Sequence, residues 1–196
     1  MQIDLDLDST LQKLVREFQE APAKTDKAIQ RALRKLSSFA ERQVLRALSR
    51  ATQVSQKQIK ELGRVRLTLH KPGERSEDYE LVIWIGLNDI PAHYLGRPVQ
   101  NSRGVRTGRH FWESAFTVQP ASSSRDMVFQ RAPDWKHKKQ LSLKSGRTIW
   151  MGLPIEKVSL PIAEASRKAI DSLQPQLVER FSTLVQQELN YAFRIE

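Results

Sequence analysis

Apolar and polar positions change period several times along this chain, and each change predicts an element. Ile3, Leu5 and Leu7 alternate with Asp4, Asp6 and Asp8, the two-residue period of a short strand with one wet face. Ser9 or Thr10 then caps a short helix over about 10–19, where Leu11, Leu14, Val15 and Phe18 share a stripe. Pro22 interrupts. Thr25 with Asp26 opens the longest helical pattern, which runs to about Ala51. Ile29, Leu33, Leu36, Ala40, Val44, Ala47 and Ala51 step by four and three residues, and Phe39, Leu45 and Leu48 widen the stripe. The opposite face carries Lys27, Arg31, Arg34, Lys35, Arg42, Arg46 and Arg50. Basic helix faces of this kind are ordinarily solvated.

Ser55 and Gln58 have capping-box spacing for one or two further turns ending at Gly63. The period then becomes two. Val65, Leu67 and Leu69 alternate with Arg64, Arg66 and Thr68, and after KPGERSED comes the β-branched and aromatic run YELVIWIGL. These runs predict an antiparallel hairpin. Its second strand is apolar on both faces, which predicts cover on both sides or a subunit contact. ESAFTV and DMVFQR, joined by the turn-forming PASSSR, predict a second strand pair. Between the pairs, 88–110 reads as a long irregular connection, longer than most loops in compact domains. Pro161 suits a first helical position, with Ile162, Ala165, Ala169 and Ile170 as its stripe. Pro175 either kinks this helix or starts another, and Leu177, Phe181, Leu184, Val185, Glu188, Leu189 and Ala192 continue at helical spacing.

The expected architecture is α+β, a small antiparallel sheet packed against a long N-terminal helix and C-terminal helices. At 196 residues a single domain is expected, with a helical part at 9–62, a β-rich middle at 63–160 and helices at 161–194. The complete lack of cysteine removes disulfide frameworks, Cys zinc sites and thiol nucleophiles, and four scattered His argue against a structural metal. No cofactor is expected. MQIDLDLDST has no basic or apolar signal region, and no apolar run nears the ~20 residues of a membrane span. A soluble, cytoplasmic chain with no membrane partner is therefore expected.

Charge changes the picture where it is concentrated. The chain carries +10 overall, with 32 Lys and Arg against 22 Asp and Glu. Residues 90–147 alone hold 11 basic and 3 acidic groups. GRPVQNSRGVRTGRHF contributes Arg97, Arg103, Arg106 and Arg109, planar forks of donors suited to phosphate or carboxylate, beside Trp112. DWKHKKQLSLKSGR adds Trp135, Lys136, Lys138, Lys139, Lys144 and Arg147. Docking to an acidic protein surface ranks first for these segments and plain solvation second. Direct nucleic-acid contact ranks third, since no recognition helix or RNA-module signature accompanies the charge. Trp84 and Trp150 lie in apolar runs and are expected in the core, whereas Trp112 and Trp135 flank basic loops and are candidate interface anchors.

Familiar enzyme motifs are absent: no GxSxG, phosphate-binding glycine loop or HExxH occurs. His93, Tyr94 and His110 with the neighbouring arginines could compose a metal-free nuclease, provided the two histidines converge. This is the least favoured reading.

The order IWIGLNDIP, LGRPVQNSRGVRTGRHF, ESAF, MVFQRAP and LPIEKVSLPI resembles the prophage minor tail protein Z family. The residues that carry the likeness are Trp84, Gly86, Leu87, Asn88, Ile90 and Pro91, then Arg103, Gly104, Val105, Arg106 and Gly108 with Phe111 or Phe116, and finally Leu153, Pro154, Ile155, Glu156 and Pro161. The likeness spans roughly 25–165, and order and spacing carry it rather than any single motif. It implies a non-enzymatic protein of a lambda-like phage tail, acting in tail completion at the head-proximal neck. The partners it implies are terminator, head-closure and tape-measure proteins, with room for a homo-oligomer or ring and for contact with DNA. The location it implies is the virion tail, reached from the host cytoplasm. It transfers no catalytic residues.

Overall fold

The computed structural model describes residues 2–3, 21–71, 73, 79–121, 124–132, 139–142, 144, 146–150 and 155–194. The chain divides into two compact units, one of Met1–Asn88 with Ile162–Glu196 and the other of Asp89–Pro161. The first unit holds the helices and a three-stranded antiparallel sheet, and the second holds short antiparallel strands, so the expected α+β class holds.

In the first unit, helix α1 covers Pro22–Thr52. Pro22 opens this helix, because a proline in the first turn lacks only an N–H that would be unpaired there anyway. The helix ends where Gln53 turns left-handed at φ +56, and the Thr52 hydroxyl donates back to the Leu48 carbonyl at 2.7 Å. Ser55 and Gln58 form the expected capping box of α2, Gln56–Glu61. Helix α3 covers Ala163–Asp171 and helix α4 covers Gln174–Arg194. Pro175 therefore starts a new helix. Pro161 does not start α3, because the first helical carbonyl is that of Ile162, which accepts from the Ser166 N–H at 2.9 Å.

Most of the predicted α1 stripe is buried, but Ala47 is only half-buried and Ala51 is exposed, while Ala28 and Ala32, outside that stripe, join the core. Ala28, Ile29, Ala32, Leu33 and Leu36 of α1 pack with Phe181, Leu184, Val185, Leu189 and Ala192 of α4, joined by Leu81. Every position named in advance on α4, including Glu188, is buried. Lys35 of α1 forms an ion pair with Glu188, which satisfies the carboxylate buried in this interface. Strands β1 (Gln2–Ile3), β2 (Val65–His70) and β3 (Glu80–Ile85) form an antiparallel sheet in the order β1-β3-β2. Strand β1 overlaps the predicted first strand. The rest of that strand and the helix expected at 10–19 lie outside the described residues.

One expectation for this sheet is corrected. Leu81, Ile83 and Ile85 face the core opposite Leu69, Leu67 and Val65, so Trp84 faces the other way. It is 42% exposed rather than core, and the Arg66 guanidinium lies 5.4 Å from its ring centroid. Its neighbour on that face, Val82, is buried. An apolar run states that a strand has two apolar faces, but not which one the fold covers.

The second unit contains the segment read as an irregular connection. Residues 88–110 instead hold β4 (Ile90–Pro91), a single turn at Ala92–Tyr94, β5 (Val99–Asn101), β6 (Gly104–Thr107) and the start of β7 (His110–Glu113). These strands are two to four residues long, too short to display a period of two. The second predicted strand pair is present as β8 (Phe116–Val118) against β9 (Met127–Arg131). Strand β12 (Ile155–Lys157) extends that pair, β13 (Ser159–Leu160) bonds to β4, and β10 (Lys139–Leu141) pairs with β11 (Thr148–Trp150). Ala92, Val105, Ala115, Val128 and Val158 form the buried centre, with Trp112 packed against it. Among the described residues no helix is long and apolar enough to cross a membrane.

Candidate functional site

The arginine- and glycine-rich segment folds into the sheet β5-β6-β7, and its glycines are used inside the unit. Asn101 turns β5 into β6, its side-chain oxygen accepting from the N–H groups of Arg103 at 2.9 Å and Gly104 at 3.0 Å. A Cβ on Gly104 would stand 2.1 Å from the Trp112 carbonyl oxygen, so only glycine lets β6 approach β7 at that point. Gly108 and Arg109 form the two-residue loop into β7. Gly108 comes first with φ +57, and a Cβ there would meet the Leu95 carbonyl oxygen at 2.5 Å.

Pairing register then sorts the side chains. Arg106 lies opposite Val99 on one side and Phe111 on the other, so the three form a row across the sheet. All three are exposed, Val99 at 60% and Phe111 at 43%. On the reverse face Val105 and Thr107 are fully buried, and Trp112 donates its indole N–H to the Thr107 hydroxyl at 2.7 Å. Gln100 fastens the sheet to β8, accepting from both the N–H and the hydroxyl of Thr117 at 2.8 Å each.

The predicted partner-binding residues divide accordingly. Arg97, Arg103, Arg106 and Arg109 are all exposed, and none has an ion pair among the described residues. Arg103 occupies the β5–β6 turn and Arg109 the β6–β7 turn, at opposite ends of the sheet. Gly96 runs against the backbone N of Gly108, where an added Cβ would be 2.9 Å away, which brings Arg97 to the Arg109 end. Trp112 belongs to the inner face, and the aromatic side chain that reaches solvent on this sheet is Phe111. Arg147 is exposed beside β11, and its carbonyl accepts from the Ser142 N–H at 2.9 Å to close the β10–β11 hairpin. Lys139 stands on β10 opposite Trp150. Trp135, Lys136 and Lys138 lie outside the described residues, as do the side chains of Lys139 and Trp150.

The two histidines occupy different settings. His110 pairs with Thr107, so it shares the inner face and lies across the sheet from Arg106. Its ring stacks near Trp112 at 5.8 Å, and burial lowers its pKa below the ordinary 6.5. His93 lies in the turn after β4, with its ring 4.3 Å from that of Tyr94. Burial lowers its pKa, and the charges of Lys157 and Arg125 lower it further. His93 Nδ1 and His110 Nε2 are both buried without a hydrogen-bond partner among the described residues. The set imagined for a nuclease is thus divided, with His110 turned inward and Arg106 turned outward.

Sequence reasoning found the arginines but missed Val99 and Phe111 as exposed residues. The signal was the alternation Val105-Arg106-Thr107, which assigns Arg106 to one face, but only the register shows what stands beside it. Among the described residues no group of three His, Asp or Glu is placed to hold a metal ion. No protein-family model, curated protein or solved structure matches this chain.

Proposed function

We propose that this chain is a non-enzymatic assembly protein of a phage or prophage tail. It acts in tail completion at the head-proximal end by docking the outer face of β5-β6-β7 onto an acidic surface of a neighbouring tail or neck protein. The observation that supports docking is the row Val99–Arg106–Phe111, exposed in register and flanked by Arg97, Arg103 and Arg109. Arginine and aromatic side chains are the types enriched at protein interfaces. Phosphate binding alone would have no use for an exposed valine beside the central arginine. The residues that resemble the minor tail protein Z family supply the phage context.

The test is tail completion in a phage or prophage that carries altered copies of this chain. Changing Arg103, Arg106 and Arg109 together to Ala should abolish completion, and Val99→Ser with Phe111→Ser should impair it with the arginines intact. Completion unaffected by both sets refutes the docking face. Loss with the arginine set alone, together with DNA binding that weakens linearly in log salt, favours a phosphate surface instead.

A further inference from the structure

The C-terminal half of α1 and the α3–α4 junction, all within the first unit, enclose an open groove of about 460 Å³. Helix α1 contributes Gln43, Arg46, Ala47, Arg50 and Ala51, which share one face over two turns. The other wall is Ala169, Ser172, Leu173 and Gln176. Ala47 and Ala51 continue the apolar stripe that forms the core farther up α1, yet here the stripe is left partly uncovered, with Ala51 exposed. The volume lies within the range of small-ligand sites, roughly 300–1,000 Å³.

Three arginines line up beside this groove. Arg42, Arg46 and Arg50 follow one another at four-residue spacing, where like charges cost a helix about 0.2–0.5 kcal/mol per pair. None of the three has an acidic partner among the described residues. Among the lysines of the helices, Lys35 has Glu188, Lys60 has Glu41 at 2.9 Å, and Lys168 has Glu164 at 2.7 Å. This stripe of like charge adjoins the groove, with Arg46 and Arg50 in its lining. An anion seated between Arg46 and Arg50 would remove that repulsion and satisfy two guanidinium forks.

We propose that this groove binds a small organic anion. Its phosphate or carboxylate group is held by Arg46 and Arg50, and its compact apolar body lies on Ala47, Ala51, Ala169 and Leu173. Gln43 and Gln176 add carboxamides to the lining as neutral hydrogen-bond groups. The site is separate from the docking face and does not depend on the tail-protein reading.

Amide spectra of the full-length protein, titrated at constant ionic strength with phenyl phosphate and separately with benzoate, test the proposal. At least one probe should produce saturable shifts at Ala47, Ala51 and Ala169, and the probe that does so identifies the oxyanion. The double variant R46Q/R50Q should weaken binding at least about tenfold, or 1.4 kcal/mol. A51L keeps both arginines but fills the groove, and it should weaken binding as well. All three substituted residues are exposed, and unchanged amide spectra elsewhere show that each variant folds. Absence of saturable shifts with either probe overturns the proposal. So does binding that survives either variant, or shifts that appear equally at Arg103, Arg106 and Arg109.

Discussion

Phe111 stands directly opposite Arg106 across the β6–β7 ladder, and both side chains are exposed. The next pair along, Val105 and Trp112, faces the other way into the unit. A single ladder therefore separates a docking row from a core layer. A one-residue slip in register would exchange them.

Because the row is exposed, its substitution should separate function from stability. Phe111→Ser and Arg106→Ala should each leave the melting temperature nearly unchanged, since surface changes of this kind cost within about 0.5 kcal/mol. Thermal melts run beside the tail-completion assay check this. A large fall in melting temperature would show that the row supports the fold rather than a partner.

The glycines make a sharper stability prediction. Gly104→Ala drives a methyl into the Trp112 carbonyl, 2.1 Å away, and should cost about 3 kcal/mol. Gly146 has φ +63 but nothing among the described residues within 4 Å of the added Cβ. Gly146→Ala should therefore cost only the left-handed backbone strain, about 1 kcal/mol. Urea titrations of the two variants should rank them in that order.

Glu188 is 6% exposed and Lys35 is its partner across the α1–α4 interface. Lys35→Ala leaves a buried carboxylate unpaired and should cost about 1–3 kcal/mol. Removing both with Lys35→Ala and Glu188→Leu should recover much of that loss, because apolar packing then replaces the buried carboxylate. A double-mutant cycle measured by denaturation decides it. Equal stability of the single and double variants would refute the coupling.

His93 and His110 give a pH dependence. Burial holds both below the ordinary 6.5, so below that pH the unfolded chain binds protons that the folded chain resists. Stability from this source is complete above about pH 6.5 and is lost progressively as pH falls below it. Melting temperatures should therefore drop between pH 7.5 and 5.5. The variant H93Q/H110Q should show a flatter profile, and an unchanged slope would place the dependence elsewhere.

An alkaline counterpart lies in the first unit. The Tyr79 hydroxyl donates to Asp26 at 2.7 Å and accepts from Gln30 at 2.8 Å. Burial, then the Asp26 hydrogen bond, raises its pKa above 10.0. The folded state thus retains this proton longer than the unfolded chain does, and that stabilisation declines as pH rises past 10. Tyr79→Phe should remove this dependence and cost about 1 kcal/mol at neutral pH through the lost hydrogen bonds.

The long elements were legible in the order of residues. Over the 31 residues of α1 and the 21 of α4 the helical period repeats often enough to name the buried face, down to Glu188. Equally legible were the β2–β3 and β8–β9 pairs and the Ser55–Gln58 cap, all of which rest on local spacing. Tertiary structure alone decided the rest. Strands β5 to β7 are three or four residues long, and glycines that approach distant backbone fix where they turn: Gly104 against Trp112, and Gly108 against Leu95. Whether Trp84 was buried, and whether Arg106 had Val99 and Phe111 for neighbours, depended on which face of a sheet the remainder of its unit covered. Composition marked this segment as basic. Register made its arginines part of a surface.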